Sequence, residues 1–308
     1  MNKITFLLAL ALCILAVTFA ADPSPLQQVV DGIVRDLEDE GKIQELMLLY
    51  NIDYTDTEKC LAQKLDSSNL PNITSYLTSN NKFTVCRDDG ATPPWLVNSD
   101  SDGYYIRFMN LIRDKMRTLY NNPDINYDWH IVDVSEEWFE ALKRAVDTDK
   151  CAFLISTATV TPDRASQVTY SCRFASVKDA YLRGELDSNL LIGELKDLNS
   201  PSFKICVQKG TTYSELASKD FSRAQIVEVG GQTDCYPKIV DREVHVVFCD
   251  QFCLQTWLDE NEANCETCKV VPFGEAGQFA PMFTNSVATM GPSVFLMLVA
   301  VVCSLFFF

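Results

Sequence analysis

The chain is poor in positive charge and in histidine. It holds 26 Lys and Arg against 42 Asp and Glu, a formal net charge of −16 over 308 residues. A surface of that sign repels phosphate backbones, which argues against nucleic acid as a partner. Only two histidines occur, His130 and His245, both in apolar strand-like contexts, so they supply no metal-binding pair. No apolar run long enough to span a membrane interrupts residues 176–268, which excludes a channel pore built there. No tandem repeat is evident. No Lys or Arg follows the last apolar run, Ser293–Phe308.

What is present at the two ends points to export. Lys3, the apolar run Phe6–Ala20 and the small residues at Ala20 and Ala21 read as a secretory signal peptide over 1–21. Ser293–Phe308 is short for a membrane span, which needs about 20 residues, and lacks the flanking cations that orient one. With the small residues Thr284, Asn285, Ser286 and Ala288 before it, the segment 285–308 matches a lipid-anchor (GPI) signal. A C-terminal membrane anchor extended from Val287 is the alternative. Either places the protein on the extracellular face of the plasma membrane. Asn72-Ile73-Thr74 is a glycosylation acceptor.

Of twelve cysteines, Cys13 goes with the signal and Cys303 with the tail. The other ten, an even number in an exported chain, read as disulfides whose pairing the sequence leaves open. Cys249-x3-Cys253 followed by Cys265-x2-Cys268 has a spacing that also suits zinc.

The interior, about 265 residues, suits one large domain or a two-lobed one. Leu26, Val29, Val30, Ile33, Val34 and Leu37 recur at helical spacing, Gly41 breaks the pattern, and Ile43–Tyr50 begins a shorter helix. Residues 54–81 are polar and read as irregular. From Lys82 strands and helices alternate: Phe83–Cys86, Tyr104–Leu119, Tyr127–Val132, Trp138–Ala145 and Phe153–Ser156. A second unit follows after Phe174, with strands at Phe203–Val207, Ala224–Val229 and Val244–Phe248 and a helix from Ser214. Such alternation predicts an α/β protein with mainly parallel sheets. Ligands in open α/β sheets lie at the carboxyl ends of strands. Here those ends carry Asp88–Trp95, Thr157–Arg164, Gly210–Thr212 and Asp250.

Four stretches carry a family resemblance. Residues 155–164 read I-S-T-A-T-V-T-P-D-R, followed by V-T-Y-S over 168–171. They resemble the T-x-T-x-T-x-x-R and V-x-F-S stretch of solute-binding protein family 3, the amino-acid-type periplasmic binding proteins whose core also forms ionotropic glutamate receptor ligand-binding domains. Phe83–Trp95 is similar to that family's first strand and Pro-Pro-aromatic loop. Val207–Thr212 is similar to its V-x-x-G-T-T loop, and Val244–Asp250 to its V-D-A-V-x-x-D strand end. The resemblance covers about 82–274. It implies a two-lobed type II fold with a hinge: a first lobe over 22–175 to which 269–284 return, and a second lobe over 176–268. It implies a small amino-acid-like ligand, no cofactor and no catalysis.

On that resemblance Arg164 grips the ligand carboxylate, as a bidentate guanidinium can. Thr159 and the Thr157 backbone add hydrogen bonds, the Thr211 and Thr212 amides reach the carboxylate from the other lobe, and Asp250 neutralises the ammonium. Trp95 packs over the ligand side chain and Asp89 lines the entrance. Taken singly, Asp250, Thr211 and Thr212 are also ordinary helix caps, Arg164 an ordinary ion-pair residue, and Trp95 an ordinary core residue. The family's G-F-D-x-D is replaced by Gly103–Arg107, and Thr92 stands where many members have an aromatic. Too few residues follow Pro272 for the family's two terminal helices. Residues 30–49 resemble them instead, which predicts a circular permutation that completes lobe 1 from the N-terminal end. Alternatives to the binding module are a surface coat or antigen protein that has lost its ligand, and a cyclohexadienyl-dehydratase-like enzyme with Asp89 as its acid–base candidate. A lipid-tethered binder has no cytoplasmic segment and would need a membrane co-receptor or transporter.

Overall fold

The computed structural model describes residues 23–52, 59–90, 92–97, 101–184 and 192–285. The expected signal peptide and C-terminal anchor lie outside them.

The first helix, α1 (Pro25–Asp39), begins as its sequence requires. The Ser24 hydroxyl accepts from the Gln27 amide at 3.2 Å, and Pro25 occupies the first helical position. Its apolar stripe, Leu26, Val29, Val30, Ile33, Val34 and Leu37, is buried throughout. Each such side chain contributes roughly 1.5–3 kcal/mol by leaving water. Gly41, at φ 71°, turns the chain into α2 (Lys42–Leu49). Residues 59–81 are largely irregular, with one short 3-10 turn at Thr74–Tyr76.

The first sheet comprises β1 (Lys82–Asp88), β2 (Asn126–Val132), β3 (Phe153–Leu154), β4 (Thr169–Tyr170) and the late strand β10 (Met282–Phe283), in the order β2-β1-β3-β10-β4. β1 is parallel to β2 and β3, and β10 runs antiparallel between β3 and β4. One core packs α1, α2 and α3 (Tyr104–Leu119) against Phe83, Phe153 and Phe174. A separate apolar cluster forms around α4 (Trp138–Asp147), with Leu142 and Val146 against Cys86 and Met282.

The N-terminal helices thus share one core with Phe83 and Phe153 of the first sheet. Polar bonds reinforce the docking. The half-buried Asp31 carboxylate accepts from the Ser171 hydroxyl and, at 2.8 Å, from the Cys172 amide. Cys60 is joined to Cys172 across 112 residues, a closure worth about 4–5 kcal/mol on a chain-entropy estimate.

The second sheet holds β5 (Ala175–Arg183), β6 (Lys204–Gln208), β7 (Gln225–Val229), β8 (Val246–Asp250) and β9 (Lys269–Phe279), in the order β7-β6-β8-β5-β9. The helices of this lobe are α6 (Thr212–Asp220), α7 (Cys235–Val240) and α8 (Gln251–Asn261); the four-residue α5 (Pro162–Ala165) belongs to lobe 1.

Two strands depart from the sequence expectation. β5 was not anticipated, and β9 extends the second lobe to Phe279, ten residues beyond the expected return at 269. They pair antiparallel from Ala175↔Phe279 to Arg183↔Lys269, with a register shift at Lys178/Asp179. That irregularity breaks the period-2 alternation by which strands are read. The chain crosses between lobes at the start of β5 and the end of β9, where the Phe174 amide donates to Phe279 O at 2.9 Å.

Eight of the ten cysteines pair: Cys60–Cys172, Cys86–Cys151, Cys206–Cys235 and Cys265–Cys268. Cys249 and Cys253 are free thiols, which corrects the expectation that all ten are bonded. They are buried on the second lobe, Cys249 at the end of β8 and Cys253 in the first turn of α8.

Candidate functional site

The four strand-end loops converge on one cavity of about 60 Å³ between the lobes. That is several times the roughly 10–15 Å³ a cavity needs to hold one water, so the space admits a small polar solute. The lobes meet around it. Lys209 Nζ lies 3.0 Å from Glu137 Oε1, and the Trp138 amide donates to Lys209 O at 3.4 Å. Gly210 (φ 75°) approaches so closely that a Cβ there would stand 2.8 Å from the Trp138 nitrogen.

Arg164 is placed by local chemistry. Thr161 caps α5 by accepting from the Arg164 amide at 3.2 Å, and Pro162 starts the turn. The guanidinium is 2% exposed and lies 4.5 Å from the Phe139 ring centroid and 5.7 Å from that of Trp138. It donates from Nη1 to Thr159 O and from Nη2 to Gly210 O of the other lobe, both at 3.4 Å. Among the described residues its ion-pair partner, the exposed Glu215, stands at 4.0 Å, and Nε has no hydrogen-bond partner. Burial pulls its pKa down. A buried cation so weakly paired is costly, and its remaining donors suit a carboxylate.

The carboxylates come from the strand ends. Asp250 ends β8 and caps α8, accepting from the Cys253 amide at 2.8 Å. The expected cap role thus coexists with a place in the cavity wall. Burial pushes its carboxyl up to about 6. Asp88, at the end of β1, is 3% exposed, lines the cavity and leaves Oδ2 without a partner among the described residues. Its pKa too is pushed up to about 6, by burial first and then by neighbouring Asp89. Tyr213, which lines the cavity, donates to the half-buried Asp179 at 2.9 Å.

The structure brings together Arg164, Thr157, Thr159, Asp250, Thr211, Thr212 and Trp95, all of which line the cavity. Thr211 caps α6, accepting from the Ser214 amide at 3.3 Å and donating to Gln208 O at 2.7 Å, so its hydroxyl is engaged. The next amides open the helix and lack intrahelical partners. Trp95 is 2% exposed and packs on Tyr104, Tyr105 and Phe279, with its Nε1 unpartnered among the described residues. It is a core residue with one side on the cavity.

Asp89 is not among the lining residues. Its Oδ1 instead accepts from the Val134 amide at 3.3 Å. The carboxylate of this loop that lines the cavity is Asp88, which sequence reasoning missed although it sits at the strand end where ligand contacts are expected. The pattern buries Val85, Cys86, Arg87 and Asp88 together before the turn begins. Also missed were Cys249, Cys253 and Gln208. His245 is a satisfied buried residue: its Nδ1 accepts from the Lys204 amide at 2.9 Å.

No protein-family model and no curated protein matches the sequence. Solved structures do. The ancestral amino acid-binding protein AncCDT-1, a precursor of cyclohexadienyl dehydratase, aligns with a TM-score of 0.54 at 17% identity, covering 67% of this chain and 82% of that one. Holo ArgBP from T. maritima gives 0.54 at 17%, over 68% and 85%. The solute receptor for L-cysteine of Neisseria gonorrhoeae gives 0.53 at 18%, over 70% and 81%. At these identities the likeness concerns the backbone: this chain has the two-lobed fold of the type II periplasmic binding proteins.

Proposed function

We propose that the cleft binds a small α-amino acid or close analogue, and that closure of the two lobes on it is the protein's function, without catalysis. The observation that carries this reading is that three residues lining one cavity, Arg164, Asp88 and Trp95, each hold a buried polar atom with no partner among the described residues: Nε, Oδ2 and Nε1. Buried polar atoms are normally satisfied, so three on one cavity call for a polar solute. In this reading Arg164 and the amides opening α6 hold the carboxylate, while Asp250 and Asp88 hold the ammonium. Thr157 and Thr159 fix its orientation. Contacts drawn from both lobes stabilise the closed form over the open one.

Location enters the proposal as well. The protein is exported, carries a glycan on the exposed Asn72, and is held at the cell surface by a lipid or membrane anchor over 285–308. A co-receptor or transporter then receives its ligand. The N-terminal helices replace the usual terminal ones through a circular permutation. Support comes from Ser24 and Thr284, which line a common cavity on lobe 1 and so bring the two ends of the fold together.

The test is thermal unfolding of the secreted protein with a panel of amino acids, beside Arg164→Ala. A ligand at about 100 times its Kd adds roughly 2.7 kcal/mol. One class should raise Tm in the wild type and fail in the variant; no shift across the panel overturns the reading. A dehydratase of cyclic carboxylic acids is favoured by one observation: Asp88 is a buried carboxyl on the cavity wall, and burial pushes its pKa up to about 6, towards the range a general acid needs. Turnover of prephenate, lost in Asp88→Asn, would select it.

A further inference from the structure

The cleft wall contains a chemistry that amino-acid binding does not use. Of the ten cysteines among the described residues, eight are oxidised in four pairs, while Cys249 and Cys253 remain thiols. These two flank Asp250, pack in one buried cluster of the second lobe and line the ligand cavity. Cys253 Sγ lies 2.9 Å from the Tyr236 hydroxyl, which fixes its direction. The pair is 8% and 6% exposed, and lobe 1 stands across the cavity with Trp138 and Arg164. A fold that holds four disulfides belongs to surroundings able to oxidise an adjacent thiol pair, wherever the oxidant can reach it.

We propose that Cys249 and Cys253 form a redox-active dithiol in the cleft, closed to a fifth disulfide when the lobes part and shielded while they are together. The oxidant is a small-molecule disulfide such as oxidised glutathione. One cysteine thiolate attacks it, forming a mixed disulfide and releasing one small thiolate. The second cysteine thiolate then attacks the protein sulfur of that bond and releases the other. The protein gives up two electrons and two protons, and the small disulfide becomes two thiols. Burial holds the Cys249 thiol well above its ordinary pKa, so it is unreactive in the closed form. Cys253 donates its amide to Asp250 Oδ1, so closing the bond acts on the carboxylate that faces the ligand. The inference rests on lobe opening, not on which solute binds.

Disulfide mapping of the protein secreted from the full-length chain tests it, after equilibration in reducing or oxidising glutathione buffer and alkylation. Cys249 and Cys253 should both be alkylated in the first buffer and joined to each other in the second. Cys60–Cys172, Cys86–Cys151 and Cys206–Cys235 should stay linked in both. Lys209→Glu turns the contact with Glu137 between the lobes into a repulsion. It should speed native-state alkylation of the pair by iodoacetamide about five- to tenfold. Should that variant fail to fold by circular dichroism, Glu137→Lys makes the same comparison. The proposal is overturned if the pair stays reduced in both buffers, if either cysteine is found bonded to Cys265 or Cys268, or if opening the interface leaves the alkylation rate unchanged.

Discussion

Asp88→Asn should make the ligand-free protein more stable and a poorer binder. Asp88 is buried with one carboxylate oxygen unpartnered among the described residues, and burial raises its pKa from 3.8 to about 6. Between those values the folded carboxyl keeps a proton that the unfolded one has released. Stability therefore falls as pH rises from about 4 to about 6, and the full cost is carried above that. At roughly 1.4 kcal/mol per pKa unit the cost is about 3 kcal/mol at neutral pH. Asparagine has the same shape without the charge and relieves up to that amount. The assay is thermal unfolding of both proteins without ligand between pH 4 and 7.5. At pH 7.5 the variant should melt higher, by about 2–4 °C for each kcal/mol gained. The gain should shrink towards pH 4, where both side chains are neutral. Amino-acid binding should weaken in parallel, because the ammonium loses an anionic partner. A variant that melts at or below wild type at pH 7.5, or whose gain persists undiminished at pH 4, would refute the reasoning.

Gly210→Ala places a Cβ 2.8 Å from the Trp138 backbone and imposes a left-handed conformation costing about 1–2 kcal/mol; ligand affinity by calorimetry should fall at least about tenfold while circular dichroism is retained. Deleting 22–53 removes the six-residue apolar stripe of α1 and the Asp31 bonds to Ser171 and Cys172. The loss is comparable with a domain's whole stability, about 5–15 kcal/mol, so lobe 1 should not fold, and a truncated protein that melts and binds normally would disprove the docking role. Asn72→Gln should abolish one glycosidase-sensitive mobility step on gels, and an unchanged pattern would remove Asn72 as the acceptor.

Much of the site was legible because its residues sit at strand ends, where periodicity stops and polar residues begin. The T-x-T-x-T-x-x-R stretch placed Arg164, Thr157 and Thr159, and the end of Val246–Asp250 placed Asp250. Asp88 was passed over for Asp89 because two adjacent carboxylates look alike in sequence. What separates them is that β1 runs two residues further than the apolar pattern Phe83–Cys86 shows, carrying Arg87 and Asp88 into the interior. The linking strands β5 and β9 escaped notice because their shared irregularity at Lys178/Asp179 disrupts alternation. The free state of Cys249 and Cys253 was hidden for another reason. An even cysteine count is a property of composition, whereas pairing depends on which sulfurs the fold brings together.

The route of the chain has a mechanical consequence. Lobe 2 is one unbroken stretch, entered at Ala175 and left at Phe279, while Ser24 and Thr284 border the same cavity on lobe 1. Any attachment made through the residues beyond Asn285 would thus grip lobe 1 alone. The outer half would swing like a lid on a fixed base, its travel transmitted through two neighbouring strands. A neighbour in the membrane would find lobe 1 stationary. Only the position of the far half would report whether the cleft is open or shut.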